Sequence, residues 1–106
     1  MTPKEIFAKN IPENINKQLD KAKAMNATYK FNVTGPGAGV WRVILNENPH
    51  VEEGDGAANC TITVGDEDFV NIVTGKLNAQ MAFMSGKLKI QGDMGLAMKL
   101  TTVLGG

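Results

Sequence analysis

Apolar positions recur at every second residue through the middle of the chain. Between Thr28 and Thr34, Tyr29, Phe31 and Val33 alternate with Lys30 and Asn32, and between Val40 and Leu45 the residues Trp41, Val43 and Leu45 share one face. A period of two predicts strands. Val40 and Ile44 lie opposite Trp41 and Val43, so the second strand is expected to be buried on both sides. Short strands are also expected around His50–Glu53, over Ala58–Val64, where Cys60, Ile62 and Val64 oppose Thr61 and Thr63, and over Lys87–Gln91, where Leu88 and Ile90 face away from Lys87, Lys89 and Gln91. Turn-forming residues separate them: Gly35-Pro36-Gly37-Ala38-Gly39, Asn46–Pro49 and Gly54-Asp55-Gly56. The glycine-rich turn runs into a strand rather than a helix and has no phosphate-loop lysine motif, so it is read as a hairpin.

The remaining segments carry a helical period. Thr2–Met25 has Pro3 near its start, Pro12 as an interruption and an apolar stripe of Ile11, Ile15, Leu19, Ala22 and Met25. It is expected to be one amphipathic helix packed on the sheet, with a face too narrow for a membrane-surface helix. Asp66 is placed to cap a helix whose inward face is Phe69, Ile72 and Val73 and which ends near Gly75; Asn78 caps the next, with Met81 and Met84, and Gly86 ends it. Asp93 caps a final helix, Met94–Leu104, whose apolar residues cover more than half its circumference. Unbranched methionines fill irregular space. Met81, Met84, Met94 and Met98 therefore suit either ordinary core packing or the wall of an adaptable cavity.

Composition narrows the function. The 106 residues suit one domain, taken as residues 1–106, and 42% hydrophobic side chains suffice for its core. Eleven basic and eleven acidic residues balance, and Arg42 is the single arginine. Without a basic field or arginine forks, nucleic acid is not an expected partner. Cys60 stands alone and reads as a core thiol, and His50 lies in a turn-like region with no acid–base partner in view, so no catalytic residue is assigned. The acids Asp66, Glu67 and Asp68 run straight into Phe69-Val70 and lack the ligand spacing of a calcium loop, so neither metal nor cofactor is expected. No stretch is long and apolar enough to span a membrane.

Several blocks together carry a family resemblance. They are Gly39-Val40-Trp41, the turn from Gly54 into Cys60–Val64, Asp66–Phe69, Gly75-Lys76-Leu77, Ala82-Phe83 and above all GKLKIQGDMGLAMKL at Gly86–Leu100. The chain resembles the sterol carrier protein type 2 domain family over at least Phe31–Leu104. The resemblance implies an α+β fold in which a five-stranded, mostly antiparallel sheet is covered by helices and encloses an apolar tunnel. It also implies non-enzymatic binding and transfer of a fatty acid, a fatty acyl group or a sterol.

On that basis the ligand wall is assigned to Phe31, Trp41, Val43, Ile62, Phe69, Ile72, Val73, Met81, Met84, Leu88, Ile90, Met94, Met98 and Leu100, with Gln91 as a polar contact near the mouth. The final helix is expected to enclose the ligand and to move as its cover. Lys76, Lys87, Lys89 and Lys99 are C-terminal, whereas Glu47, Glu52, Glu53, Asp55 and the acids at 66–68 make the middle acidic, so brief contact with anionic membrane is a further expectation. The chain ends Val103-Leu104-Gly105-Gly106 without a Ser-Lys-Leu import signal, and the expected location is cytoplasmic. The competing reading is a structural or protein-interaction module that uses the same apolar helix face and binds no lipid.

Overall fold

The computed structural model describes residues 2–99 and residue 104. Five strands form one sheet: β1 (Ala27–Thr34), β2 (Gly39–Leu45), β3 (His50–Glu53), β4 (Cys60–Gly65) and β5 (Leu88–Gly92), in the order β3-β2-β1-β4-β5. Neighbours are antiparallel except the central pair β1 and β4, which is parallel. That pair needs a long crossover, which β2 and β3 supply before the chain returns to the other side of β1.

Register explains why one face is apolar. Phe31 lies opposite Trp41 on one side and Ile62 on the other, and Ile62 in turn lies opposite Ile90. Tyr29, Val43 and Cys60 form the adjacent row. Since side chains alternate, the same register puts Lys30, Arg42, Thr61 and Gln91 together on the outer face. The expectation of burial on both faces of β2 is corrected here: Val40 and Ile44 are only half-buried among these polar neighbours.

The helices gather on the inner face. The N-terminal stretch is not the single helix that its stripe predicts. It consists of α1 (Pro3–Glu5), a π-helical turn over Ile6–Asn10, α2 (Ile11–Lys17) and α3 (Leu19–Met25). The π turn, closed by the Ile11 N–H donating to the Ile6 carbonyl, lies immediately before Pro12, which has no N–H and whose ring crowds the carbonyl four residues back. Gln18, at φ −137° and ψ 47°, then breaks the helical path. Ile6, Phe7, Ile11, Ile15 and Ala22 are buried, while Leu19 of the predicted stripe reaches solvent.

Phe7 is the keystone of this half of the core. Its ring stacks on Trp41 at 4.6 Å and on Phe69 at 5.1 Å, and meets Phe31 at a tilt of 60°. Such rings contribute large apolar area together with favourable offset or tilted contacts. Trp41 folds back over Gly39, where a Cβ would stand 2.5 Å from the indole. Three further helices complete the layer: α4 (Asp66–Val73), α5 (Ala79–Met84) and α6 (Met94–Met98). Asp66 opens α4 but is not its side-chain cap. Its carboxylate accepts from the Gly37 and Glu67 N–H groups and so pins the glycine-rich β1–β2 turn to the helix.

Candidate functional site

The space between α5, α6 and the β5 edge of the sheet is not filled by side chains. Asn78 begins α5, its side-chain oxygen accepting from the Gln80 and Met81 N–H groups, and Ala82 is the fully buried residue of that helix. A side chain as small as alanine lets the backbone approach the sheet. With Ala82 inward, Ala79, Gln80 and Phe83 turn towards α6, whereas Met81 and Met84 turn out. Asp93 caps α6 in the same way, accepting from Gly95 and Leu96.

A cavity of about 590 Å³ results. Its floor is Ile90 of β5 and Ile72 of α4, one wall is Gly75, Leu77, Asn78, Ala79, Gln80 and Phe83, and the other is Met94, Ala97, Met98 and Leu104. The lining is mainly apolar, with the Asn78 and Gln80 amides as its polar side-chain groups. That volume and character suit a small-molecule ligand held mostly by apolar contact and oriented by a few polar groups.

Of the expected wall residues, the structure brings Ile72, Ile90, Met94 and Met98 to this cavity. Phe31, Trp41, Val43, Ile62, Phe69 and Leu88 are instead buried in the packed core, where Phe7 meets Phe31, Trp41 and Phe69. Val73 packs against the edge of that core. Met81 and Met84 are exposed on the outer side of α5, and Gln91 is exposed on the outer face of the sheet, opposite Thr61. Leu100 lies outside the described residues, as does most of the predicted helix beyond Lys99. The sequence reading did not include Phe83, Gln80, Ala79, Leu77, Ala97 or Leu104. The signal for the first three was Ala82: once it is the sheet contact, its helical neighbours on one side must face the cavity.

Above the cavity floor, α6 is tied to the centre of the sheet. The buried Tyr29 hydroxyl donates a hydrogen bond to the Leu96 carbonyl. Burial, with the nearby Cys60 and Asp93 adding to it, pushes the phenol well above its ordinary range, so it stays a donor. Burial likewise raises the Cys60 thiol, which disfavours the nucleophilic thiolate. Cys60 is on the inner face of β4, whereas His50 pairs with Ile44 on the outer face of the far edge strand. His50 is occupied by the Asn48 carbonyl and Glu52, which raise its pKa. These two groups cannot act as nucleophile and base on one substrate. Among the described residues, no three His, Cys, Asp or Glu side chains converge as a metal site, and no helix is long and apolar enough to cross a membrane.

Residues 8–105 match the SCP-2 sterol transfer family. Over 94 residues the chain is 47% identical to peroxisomal multifunctional enzyme A of Dictyostelium discoideum, covering 85% of this chain and 21% of that protein. It is 41% identical to human sterol carrier protein 2, covering 83% of this chain and 18% of that one. The chain thus spans about a fifth of the length of these curated relatives. The solution structure of sterol carrier protein domain 2 of Helicoverpa armigera superposes with a TM-score of 0.76 at 39% identity, covering 94% of this chain and 85% of that one. Sterol carrier protein 2 of Aedes aegypti, solved in complex with palmitate, gives 0.69 at 31% identity, covering 94% and 91%. The chain belongs to the SCP-2 sterol transfer family, and its fold is that of a non-catalytic lipid-binding and transfer module.

Proposed function

We propose that this protein carries one long-chain lipid, a fatty acid or fatty acyl group in preference to a sterol, with its tail in the cavity between α5, α6 and β5. The observation that carries this reading is the apolar space of about 590 Å³ beneath α6. The palmitate complex of the related Aedes protein supports the acyl choice. In this arrangement Ile72, Phe83, Ile90, Met94 and Met98 contact the tail, and Gln80 replaces Gln91 as the side chain that meets a carboxylate, acyl oxygen or hydroxyl. An amide both donates and accepts, so it can serve each of these head groups. Shielding a dozen methylenes at about 0.8 kcal/mol each contributes on the order of 10 kcal/mol, the same order as the roughly 4–15 kcal/mol lost on association.

Native mass spectrometry of gently purified protein, followed by lipid extraction and titration with palmitate and cholesterol separately, tests the reading. One equivalent of bound palmitate, displaced only weakly by cholesterol, is the expected outcome. Failure of both lipids to bind would sink the carrier function. Tighter binding of cholesterol would overturn the acyl preference.

A further inference from the structure

We infer that Met94 and Met98 form a modification site, two thioethers in the cavity wall whose oxidation to sulfoxides by a hydroperoxide lowers the hold on the cargo. The inference rests on the carrier reading above and adds a chemical control over it. Four of the six methionines of the chain lie on α5 and α6, and the fold sorts them into two pairs. Met94 and Met98 line the cavity, whereas Met81 and Met84 stand outside it. All four are open to solvent, Met94 at 50% and the others at 66% or more. Cys60, by contrast, is fully buried, and burial keeps its thiol protonated. Sulfur oxidation follows exposure and, for a thiol, thiolate character, so it falls on these methionines first.

The step needs no catalytic side chain. A sulfur lone pair attacks the distal oxygen of the peroxide, the O–O bond breaks, and the proton of that oxygen passes to the departing one, which leaves as water or an alcohol. Sulfur is oxidised by two electrons and the peroxide is reduced by two. The product is a polar group on a wall that holds its ligand by apolar contact. Facing the tail, the new oxygen meets methylenes that offer no hydrogen bond; turned to water, the side chain gives up its contact with the tail. Occupancy acts in return. A bound tail covers the sulfurs of Met94 and Met98 and leaves those of Met81 and Met84 in solvent, so the empty carrier is oxidised at the wall faster than the loaded one. Methionine sulfoxide reductases reverse the change, which makes it a switch rather than damage.

The two pairs make the test internally controlled. Met94→Leu/Met98→Leu and Met81→Leu/Met84→Leu keep apolar bulk while removing the sulfur. Each protein is treated with limited hydrogen peroxide, its sulfoxides are located by peptide mass mapping, and its palmitate affinity is compared with that of its own unoxidised form. Affinity is expected to fall about tenfold or more in the unaltered chain, the loss that one poorly paired polar group brings, and to return after reductase treatment. Met81→Leu/Met84→Leu should lose as much, and Met94→Leu/Met98→Leu should lose nothing on oxidation. Saturating palmitate added beforehand should slow sulfoxide formation at Met94 and Met98 and leave it unchanged at Met81 and Met84. An equal fall in Met94→Leu/Met98→Leu would place the effect on another sulfur and overturn the site. Complete oxidation of Met94 and Met98 with unchanged affinity would overturn it as well, and equal slowing at all four methionines would remove the shielding by cargo. Absence of palmitate binding before any peroxide is added would instead refute the carrier reading itself.

Discussion

At the scale of single residues, Tyr29 joins fold and site. It is fully buried in the middle of the sheet, yet its hydroxyl holds the backbone of the helix that roofs the cavity. The Leu96 carbonyl also accepts from Lys99 N–H, so it keeps one partner if the phenol is lost. Tyr29→Phe is therefore expected to cost only about 1 kcal/mol, seen as a lower urea midpoint, while speeding palmitate release. Unchanged release would mean that α6 does not depend on this bond. The phenol also sets an alkaline limit. Tyr29 and Cys60 have pKa values raised above 10.0 and 9.0, so as pH climbs past those values the unfolded chain releases protons that the folded chain retains. Stability should be constant just below pH 9 and decline above it, and Tyr29→Phe should remove the later part of the decline in a denaturation series. Gly92 makes a sharper case: its φ is +105° and an added Cβ would lie 2.4 Å from the Asn59 carbonyl oxygen. Gly92→Ala should cost about 2 kcal/mol or more, read as a fall in thermal midpoint.

The elements show where sequence is sufficient and where it is not. The two-residue alternation of Tyr29, Phe31 and Val33 places β1 without ambiguity, because a shift of one residue would turn every aromatic into solvent. Caps at Asn78 and Asp93 are equally local, and both form. The orientation of α5 is not local. Met81 and Met84 lie three apart, as inward residues often do, but the sheet accepts Ala82, and the large methionines are turned out. In the same way Phe7 has no visible partner in the sequence, and only the π turn and the register of β1 with β2 bring it onto Trp41 and Phe31. Of the expected wall residues on the sheet, Ile90 borders the cavity, while Phe31, Trp41, Val43, Ile62 and Leu88 share its inner face but lie in the packed core. At five residues α6 is far too short to be stable alone and depends on its cap and on Tyr29. Asp93→Ala should cost about 1 kcal/mol and, in hydrogen exchange, should loosen Gly95 to Met98 more than β1. Equal loosening of both would show that α6 opens only when the whole domain unfolds.

For the whole molecule, the inner face is divided, and on the proposed reading that division lets so small a domain carry a lipid. The half over β1 and β2 is filled by Phe7, Phe31, Trp41 and Phe69, and the half over β5 is left open beneath α5 and α6. The packed half can hold the sheet together whether or not ligand is present, so binding need not be coupled to folding. Ligand should then add stability by mass action alone. At about one hundred times its dissociation constant, palmitate contributes about 2.7 kcal/mol, which for a domain of this size raises the thermal midpoint by on the order of 10 °C. The increment should keep growing with the logarithm of free palmitate, and Phe83→Ala, which removes a cavity wall but no core aromatic, should reduce it at fixed palmitate. A midpoint indifferent to palmitate would contradict ligand binding to the native state. A ligand-free chain with no cooperative transition, regaining one only with palmitate, would show that the aromatic half is not a sufficient core and that the lipid itself completes the fold.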